Sequence, residues 1–284
     1  MGVKTGLTLS DANKLFPQKK FLKISATTSG VTDTTYIAQS EKSSYILKKY
    51  EHASAEQIIN EKRLLTKLHR ACLHVPQPIQ SNQGWHLFSY ISGDMPHFIE
   101  LQQLQSVGRF LSRFHRCMYK SSCSFTPFPM QELEKSLYKF KKDHIFFAKK
   151  LSTLKDFPKK HDGIIHGDLF PDNVKFHKSA LGVFDFIEAG NGNFSFDLGV
   201  VAMSWIAQKK FTPLRVQLLL KAYNQSALHK IYLSDILAMM EHAASIYTLR
   251  RFTNPSSGLD YKTMLKVYKK IKMFKKLSFK TIRN

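Results

Sequence analysis

A loop and hairpin between residues 164 and 186, with carboxylates at the open end, restricts the fold more than any other stretch. It reads Ile164-Ile165-His166-Gly167-Asp168-Leu169-Phe170-Pro171-Asp172-Asn173-Val174-Lys175-Phe176, then Leu181-Gly182-Val183-Phe184-Asp185-Phe186. Residues 174–176 and 181–184 are apolar-rich and predict two short strands joined by 177–180, centred near Ser179. Asn173 and Asp185 are equidistant from that centre. Regular antiparallel pairing predicts them opposite one another, with Cβ atoms on the order of 5 Å apart. An amide oxygen and a carboxylate meeting at one point make a hard, oxygen-only ligand set, suited to Mg²⁺ that keeps waters and binds phosphates. Asp168 approaches the same point from the loop, where it can accept a proton from a hydroxyl aimed at a metal-bound phosphate. Taken singly, each residue has a structural reading: Asp168 capping a turn, Asn173 stabilising its loop, Asp185 ending a strand. The H-x-D-x-x-x-x-N spacing and the hairpin symmetry together favour a site. His166 is read as orienting the loop, and Asp197 as tying the start of the next helix to it.

Charge isolates this segment. The chain of 284 residues has 43 Lys+Arg against 21 Asp+Glu, a formal charge of +22. Within 166–197, five acids face two lysines, which suits a bound divalent cation. The basic excess is concentrated in 199–284, densest over 261–283, where Met264, Val267, Tyr268, Ile271, Phe274 and Leu277 recur at helical spacing among lysines. A basic amphipathic helix touching nucleic acid or membrane is one reading. The reading adopted is a last helix packing its apolar face on the domain, because no RNA-binding aromatic motif, helix-turn-helix or zinc spacing accompanies it. No apolar run reaches membrane-spanning length and no secretory core opens the chain, so a soluble cytoplasmic protein with no membrane partner is expected. The three cysteines, Cys72, Cys117 and Cys123, lack metal or disulfide spacing and are read as reduced.

The remaining pattern divides near residue 92. Residues 21–27, 34–39, 44–50 and 84–90 predict strands, and a helix runs from an N-cap at Ser54 to residue 69. On that helix Glu61 lies within the stripe of Ile58, Leu65 and Leu68. A carboxylate in an apolar face needs a partner, and Lys48 on the preceding strand is the nearest reasonable one. Beyond a hinge at 91–94 the pattern is mainly helical, over 104–114, 130–151, 198–208, 216–227 and 235–252. The expected domains are an N-terminal nucleotide-binding lobe, 1–92, and a C-terminal catalytic and substrate-binding lobe, 93–284.

His166 to Asn173, then Phe184-Asp185-Phe186, then Asp197-Leu198-Gly199 resemble the aminoglycoside phosphotransferase and choline kinase superfamily, and within it most closely the bacterial homoserine kinases of that fold. The resemblance implies an α+β, two-lobed protein-kinase-like fold, with a small antiparallel-sheet lobe carrying one main helix and a larger helical lobe. It implies ATP and Mg²⁺ as cofactors, Asp168 as catalytic base and Asn173 and Asp185 as metal ligands. Lys48 then reaches the α/β-phosphates, Glu61 orients Lys48, residues 29–34 (with Ser29, Gly30 and Thr32) cover the phosphates, and 88–93 flank adenine. The chain departs from the homoserine kinases in having Gly30-Val31-Thr32-Asp33-Thr34-Thr35-Tyr36 where they carry a G-x-x-N-T-N-Y-like stretch, and Pro171 where they have Arg. An Asp near phosphates is unfavourable unless it points away or fixes the turn.

The function expected is transfer of the γ-phosphoryl of ATP to a hydroxyl of a small molecule, with homoserine, and hence threonine biosynthesis, first. For that acceptor Glu188 is assigned to the amine and an arginine of the helical lobe to the carboxylate. Choline-like, aminoglycoside-like or sugar acceptors are the alternative within the class. A nucleotide-binding pseudokinase or basic scaffold is the alternative outside it. Nothing in the sequence indicates oligomeric state.

Overall fold

Alternating burial builds the N-terminal sheet. A computed structural model describes residues 3–27, 32–127, 130–143, 161–178, 180–207, 212–253 and 260–281. In it β1 (Lys23–Ala26), β2 (Thr34–Gln39), β3 (Ser44–Lys49), β4 (Pro78–Asn82) and β5 (Trp85–Ser89) form one antiparallel sheet in the order β1-β2-β3-β5-β4. On β2 Thr34, Tyr36 and Ala38 are buried and the residues between them are not. Tyr36, Ala38, Leu47, Trp85 and Leu87 pack with Phe16, Phe21 and the buried residues of a short helix, α1 (Leu9–Leu15). Helix α2 (Ala55–Arg70) opens on a capping box between Ser54 and Gln57 and buries Glu61, Leu64, Leu65 and Leu68.

The rest of the chain is mainly helical: α3 (Leu101–Met118), α4 (Met130–Asp143), α5 (Phe194–Val201), α6 (Pro213–Asn224), α7 (Leu233–Thr253) and α8 (Tyr261–Thr281). Two small sheets accompany them, β6 (Gly163–Ile165) with β9 (Gly190–Gly192), and β7 (Val174–His177) with β8 (Ala180–Val183). α3 packs on α6, and α7 packs on both α5 and α8. Two glycines let backbones approach at these crossings. A Cβ on Gly108 would stand 2.7 Å from the Leu219 carbonyl oxygen, and one on Gly199 would stand 2.5 Å from Met239 Cβ. The lysine-rich C-terminal segment is a packed helix as far as its side chains are described. Met264, Val267, Tyr268 and Ile271 are buried, Lys262, Lys266, Lys269 and Lys270 are exposed, and Lys272 Nζ lies 3.3 Å from Glu241 Oε1. Among the described residues, no helix is long and apolar enough to cross a membrane.

By contact the chain divides into two compact units, Met1–Asp94 with Gly182–Ile187, and Met95–Leu181 with Glu188–Asn284. A six-residue segment that begins within β8 and runs past its end therefore belongs to the sheet-bearing unit. The regular hairpin extrapolated to residue 185 is corrected here: β8 ends at Val183, and Asp185 adopts a left-handed backbone with φ of 63°, a conformation Asp tolerates better than most residues. Ser179, the expected centre, and residues 144–151 of the expected fourth helix lie outside the described residues.

Since Gly199 already sits against Met239 backbone and Cβ atoms, Gly199→Ala is expected to lower the unfolding free energy by about 1–3 kcal/mol, as overpacking does. Thermal denaturation reads this directly, and an unchanged midpoint would show that α5 and α7 separate freely.

Candidate active site

In the first unit the site is built around a buried cation. β3 carries Lys48, in register with Thr35 of β2 and His86 of β5. Its ammonium lies 2.9 Å from Asp185 Oδ1, 3.2 Å from Asp33 Oδ2 and 4.5 Å from the centre of the Tyr50 ring. Burial alone would lower the Lys48 pKa, but the carboxylates of Asp185 and Glu61 outweigh it and hold the ammonium well above its ordinary value. The direct Lys48–Glu61 pair expected from the sequence is not formed. Asp185 and Asp33 occupy the ammonium, while Glu61 Oε2 accepts the Tyr50 hydroxyl and Oε1 accepts the Phe186 N–H at 3.0 Å. Burial raises the Glu61 carboxyl above its usual range against the opposing pull of Lys48, and it pushes the Tyr50 phenol up as well, so Tyr50 remains a protonated donor. Thr32 is exposed, with its carbonyl accepting from Lys4 Nζ at 3.0 Å. Ser29 and Gly30, assigned to the phosphate-covering loop, lie outside the described residues.

In the second unit a fully buried carboxylate organises the loop. Asp197, in the first turn of α5, accepts from His166 N at 2.8 Å, Gly167 N at 2.9 Å and His115 Nε2 at 3.0 Å. Burial would raise this carboxyl, but the hydrogen bond and charge of His115, with further help from His166, hold it below its ordinary range. His115 is fixed in turn by the Tyr223 hydroxyl at 3.0 Å. Gly167 has φ of 79°, and a Cβ there would meet the Glu188 carbonyl at 3.0 Å, so the turn requires glycine.

Beyond that turn Asp168 is held from two sides. Asn173 Nδ2 donates to its carbonyl at 2.7 Å and to Oδ2 at 3.2 Å, and the Tyr247 hydroxyl of α7 stands 2.9 Å from Oδ1 while also touching the Gly167 carbonyl. Burial and the nearby Asp168 charge keep the Tyr247 phenol well above its ordinary value and therefore a donor. With its NH₂ group on Asp168, Asn173 has its carbonyl oxygen as the end left for a cation. His166 is buried and its Nδ1 faces the Asp168 N–H at 3.3 Å, a loop-bracing position. Glu188, assigned to a substrate amine, already pairs with Arg250 Nη2 at 3.0 Å. Arg251 stacks over Phe170 at 5.6 Å. His115, Tyr247, Arg250 and Arg251 carried no local signal, because their partners are brought by folding from far along the chain, whereas Asp33 stood out in the sequence without showing that Lys48 and the Glu51 N–H are its partners.

Removing Asp197 with alanine would strand the two backbone N–H groups and His115 in the interior, and is expected to destabilise the protein by about 3–5 kcal/mol, the range for breaking a buried charge network. Chemical denaturation checks it. A second expectation concerns pH. Burial, reinforced by Lys62 and Lys48, lowers His86 from 6.5 to about 4, so the fold holds it neutral. That contribution is complete above 6.5 and is lost as pH falls towards 4. The fall in denaturant midpoint over that window should be shallower in His86→Asn; an equal slope would remove His86 as the cause.

Comparison with known proteins bears on the family and the fold. The model of the family APH, described as "Phosphotransferase enzyme family", matches residues 23–232. The homoserine kinase of Janthinobacterium sp. (strain Marseille) is 26% identical over 79% of each chain. Among solved structures, the amicoumacin kinase hAmiN, in complex with AMP-PNP, Ca²⁺ and Ami, superposes with a TM-score of 0.68 at 16% identity over 92% of both chains. The choline kinase LicA from Streptococcus pneumoniae gives 0.61 at 14% identity, covering 91% of this chain and 95% of its own. These likenesses show a shared α+β fold, and the family match extends through both units. The chain belongs to the APH phosphotransferase enzyme family.

Proposed function

We propose that this protein transfers the γ-phosphoryl group of ATP to the hydroxyl of a small molecule, with homoserine as the acceptor. The observation that supports it most is the restraint of Asp168. A partly exposed carboxylate held by Tyr247 at one oxygen and Asn173 at the other is a preset acceptor for a substrate hydroxyl proton. In this reading Asp168 is the base, Lys48 holds the α/β-phosphates, Glu61 orients Lys48 through the Tyr50 contact, and Asn173 and Asp185 are the Mg²⁺ ligands. Residues 29–34 cover the phosphates and 88–93 flank adenine. Bound Mg²⁺ would neutralise charge on the transferring phosphoryl group. The donors of the two ligands are all oxygens, as that cation prefers.

The acceptor is argued from charge. Arg250 and Arg251 stand beside the Asp168 loop, and 199–284 contain only Asp235, Glu241 and Asp260 as acids. Such a lobe suits an acceptor bearing a carboxylate over a polycationic antibiotic, and the homoserine kinase named among the relatives acts in the same direction. Since Glu188 is paired with Arg250, it is reassigned from meeting an amine to fixing that arginine.

An ATP-consumption screen with Mg²⁺ over homoserine, threonine, choline, methylthioribose and aminoglycosides tests the reading. A homoserine-selective signal is expected, and Asp168→Ala should remain folded while turnover falls by about 10²–10⁴-fold. Near-full activity in that variant would reject Asp168 as the base, and selectivity for a cationic acceptor would reject homoserine.

A further inference from the structure

Asp33 does two things with its two oxygens. Oδ1 accepts the Glu51 backbone N–H at 3.2 Å, joining the residue before β2 to the residues after β3, and Oδ2 holds the Lys48 ammonium at 3.2 Å. The side chain is only 11% exposed and that of Lys48 only 13%, so this ion pair is largely withdrawn from water. Asp185, on the other side of the same ammonium, is 37% exposed. Lys48 thus has two carboxylates within ion-pair distance, and the Glu61 charge acts on it besides. An ammonium has three donors, and a phosphate group arriving beside Lys48 needs at least one of them.

We propose that Asp33 competes with the nucleotide phosphates for Lys48, setting the nucleotide affinity of this enzyme below what the same site would have with a neutral residue at 33. The inference rests on the reading of Lys48 as the phosphate-binding cation. The phosphate and the resident Asp33 carboxylate are alike in charge, so the carboxylate either yields the ammonium or remains within contact range of a phosphate, and both outcomes oppose binding. The turn function does not depend on the charge. An asparagine at 33 keeps a carbonyl oxygen for the Glu51 N–H and replaces the negative oxygen on Lys48 by an NH₂ group, a donor that cannot hold the ammonium. Lys48 keeps Asp185, so the substitution does not strand a buried cation.

The test is calorimetric titration of ADP, in the presence of Mg²⁺, into the full chain as wild type, Asp33→Asn, Lys48→Met and the double variant. Asp33→Asn is expected to bind ADP about tenfold more tightly, the size of effect a largely desolvated charge pair carries, and to show a lower KM for ATP. The gain should vanish in the Lys48→Met background. Unchanged or weaker binding in Asp33→Asn overturns the proposal, as does an equal gain with and without Lys48, which would make the effect one of general repulsion. If Asp33→Asn fails to fold, Asp33→Ser carries the same expectations. Wild-type protein that binds no nucleotide overturns the kinase reading itself, and the competition with it; a wild type that binds, alongside an unaltered Asp33→Asn, overturns the competition alone.

Discussion

The loop 166–173 depends on one negative charge kept without water. Asp197 is completely buried, and a carboxylate in that position is tolerable only because two backbone N–H groups and the His115 ring point at it. The same bonds fix the backbone of His166 and Gly167, which sets the direction from which Asp168 leaves the loop. Asn173 and Tyr247 then lock the Asp168 side chain, and Trp205 donates to the Leu169 carbonyl at 2.9 Å. The loop is therefore organised before any ligand arrives, so binding energy is not consumed in ordering it.

The sheet-bearing unit solves a similar problem with carboxylate side chains as partners. Its buried charge is positive, on a long side chain, and is shared among carboxylates that are not equivalent: one anchored by a turn, one on the segment after β8, and one already engaged by Tyr50 and Phe186. Asp197 has donors from backbone and a packed ring, whereas Lys48 is met by carboxylates on side chains. The first arrangement suits a scaffold and the second a binding group.

Much of this was readable in the chain beforehand. β-rich composition between turn residues in 34–39 and 44–50 gave β2 and β3 nearly to the residue, and Ser54 as N-cap located the start of α2. The dense motif 166–173 marked the loop because its residues are neighbours in sequence. β4 was missed because it is an edge strand begun by a proline, with few buried positions, and β6 and β9 because three-residue strands containing glycines have no period to detect. The partner of Glu61 was misjudged for a different reason. Strand and helix patterns show that a carboxylate is buried but not which donors surround it, and Tyr50 and Phe186 outcompete a lysine that has nearer anions. Tyr247 lies 79 residues from Asp168, a separation no local pattern spans.

The short excursion Gly182–Ile187 has a consequence for biogenesis. Lys48 and Asp185 are 137 positions apart, and Glu61 meets the Phe186 amide across 125. During synthesis the sheet and α2 emerge with their ionic interior incomplete, and the missing anion and amide arrive only after roughly ninety further residues have left the ribosome, so the amino-terminal unit cannot finish maturing first, as domains otherwise tend to do. A chain divided near residue 94 would part those six late-arriving residues from the unit they complete.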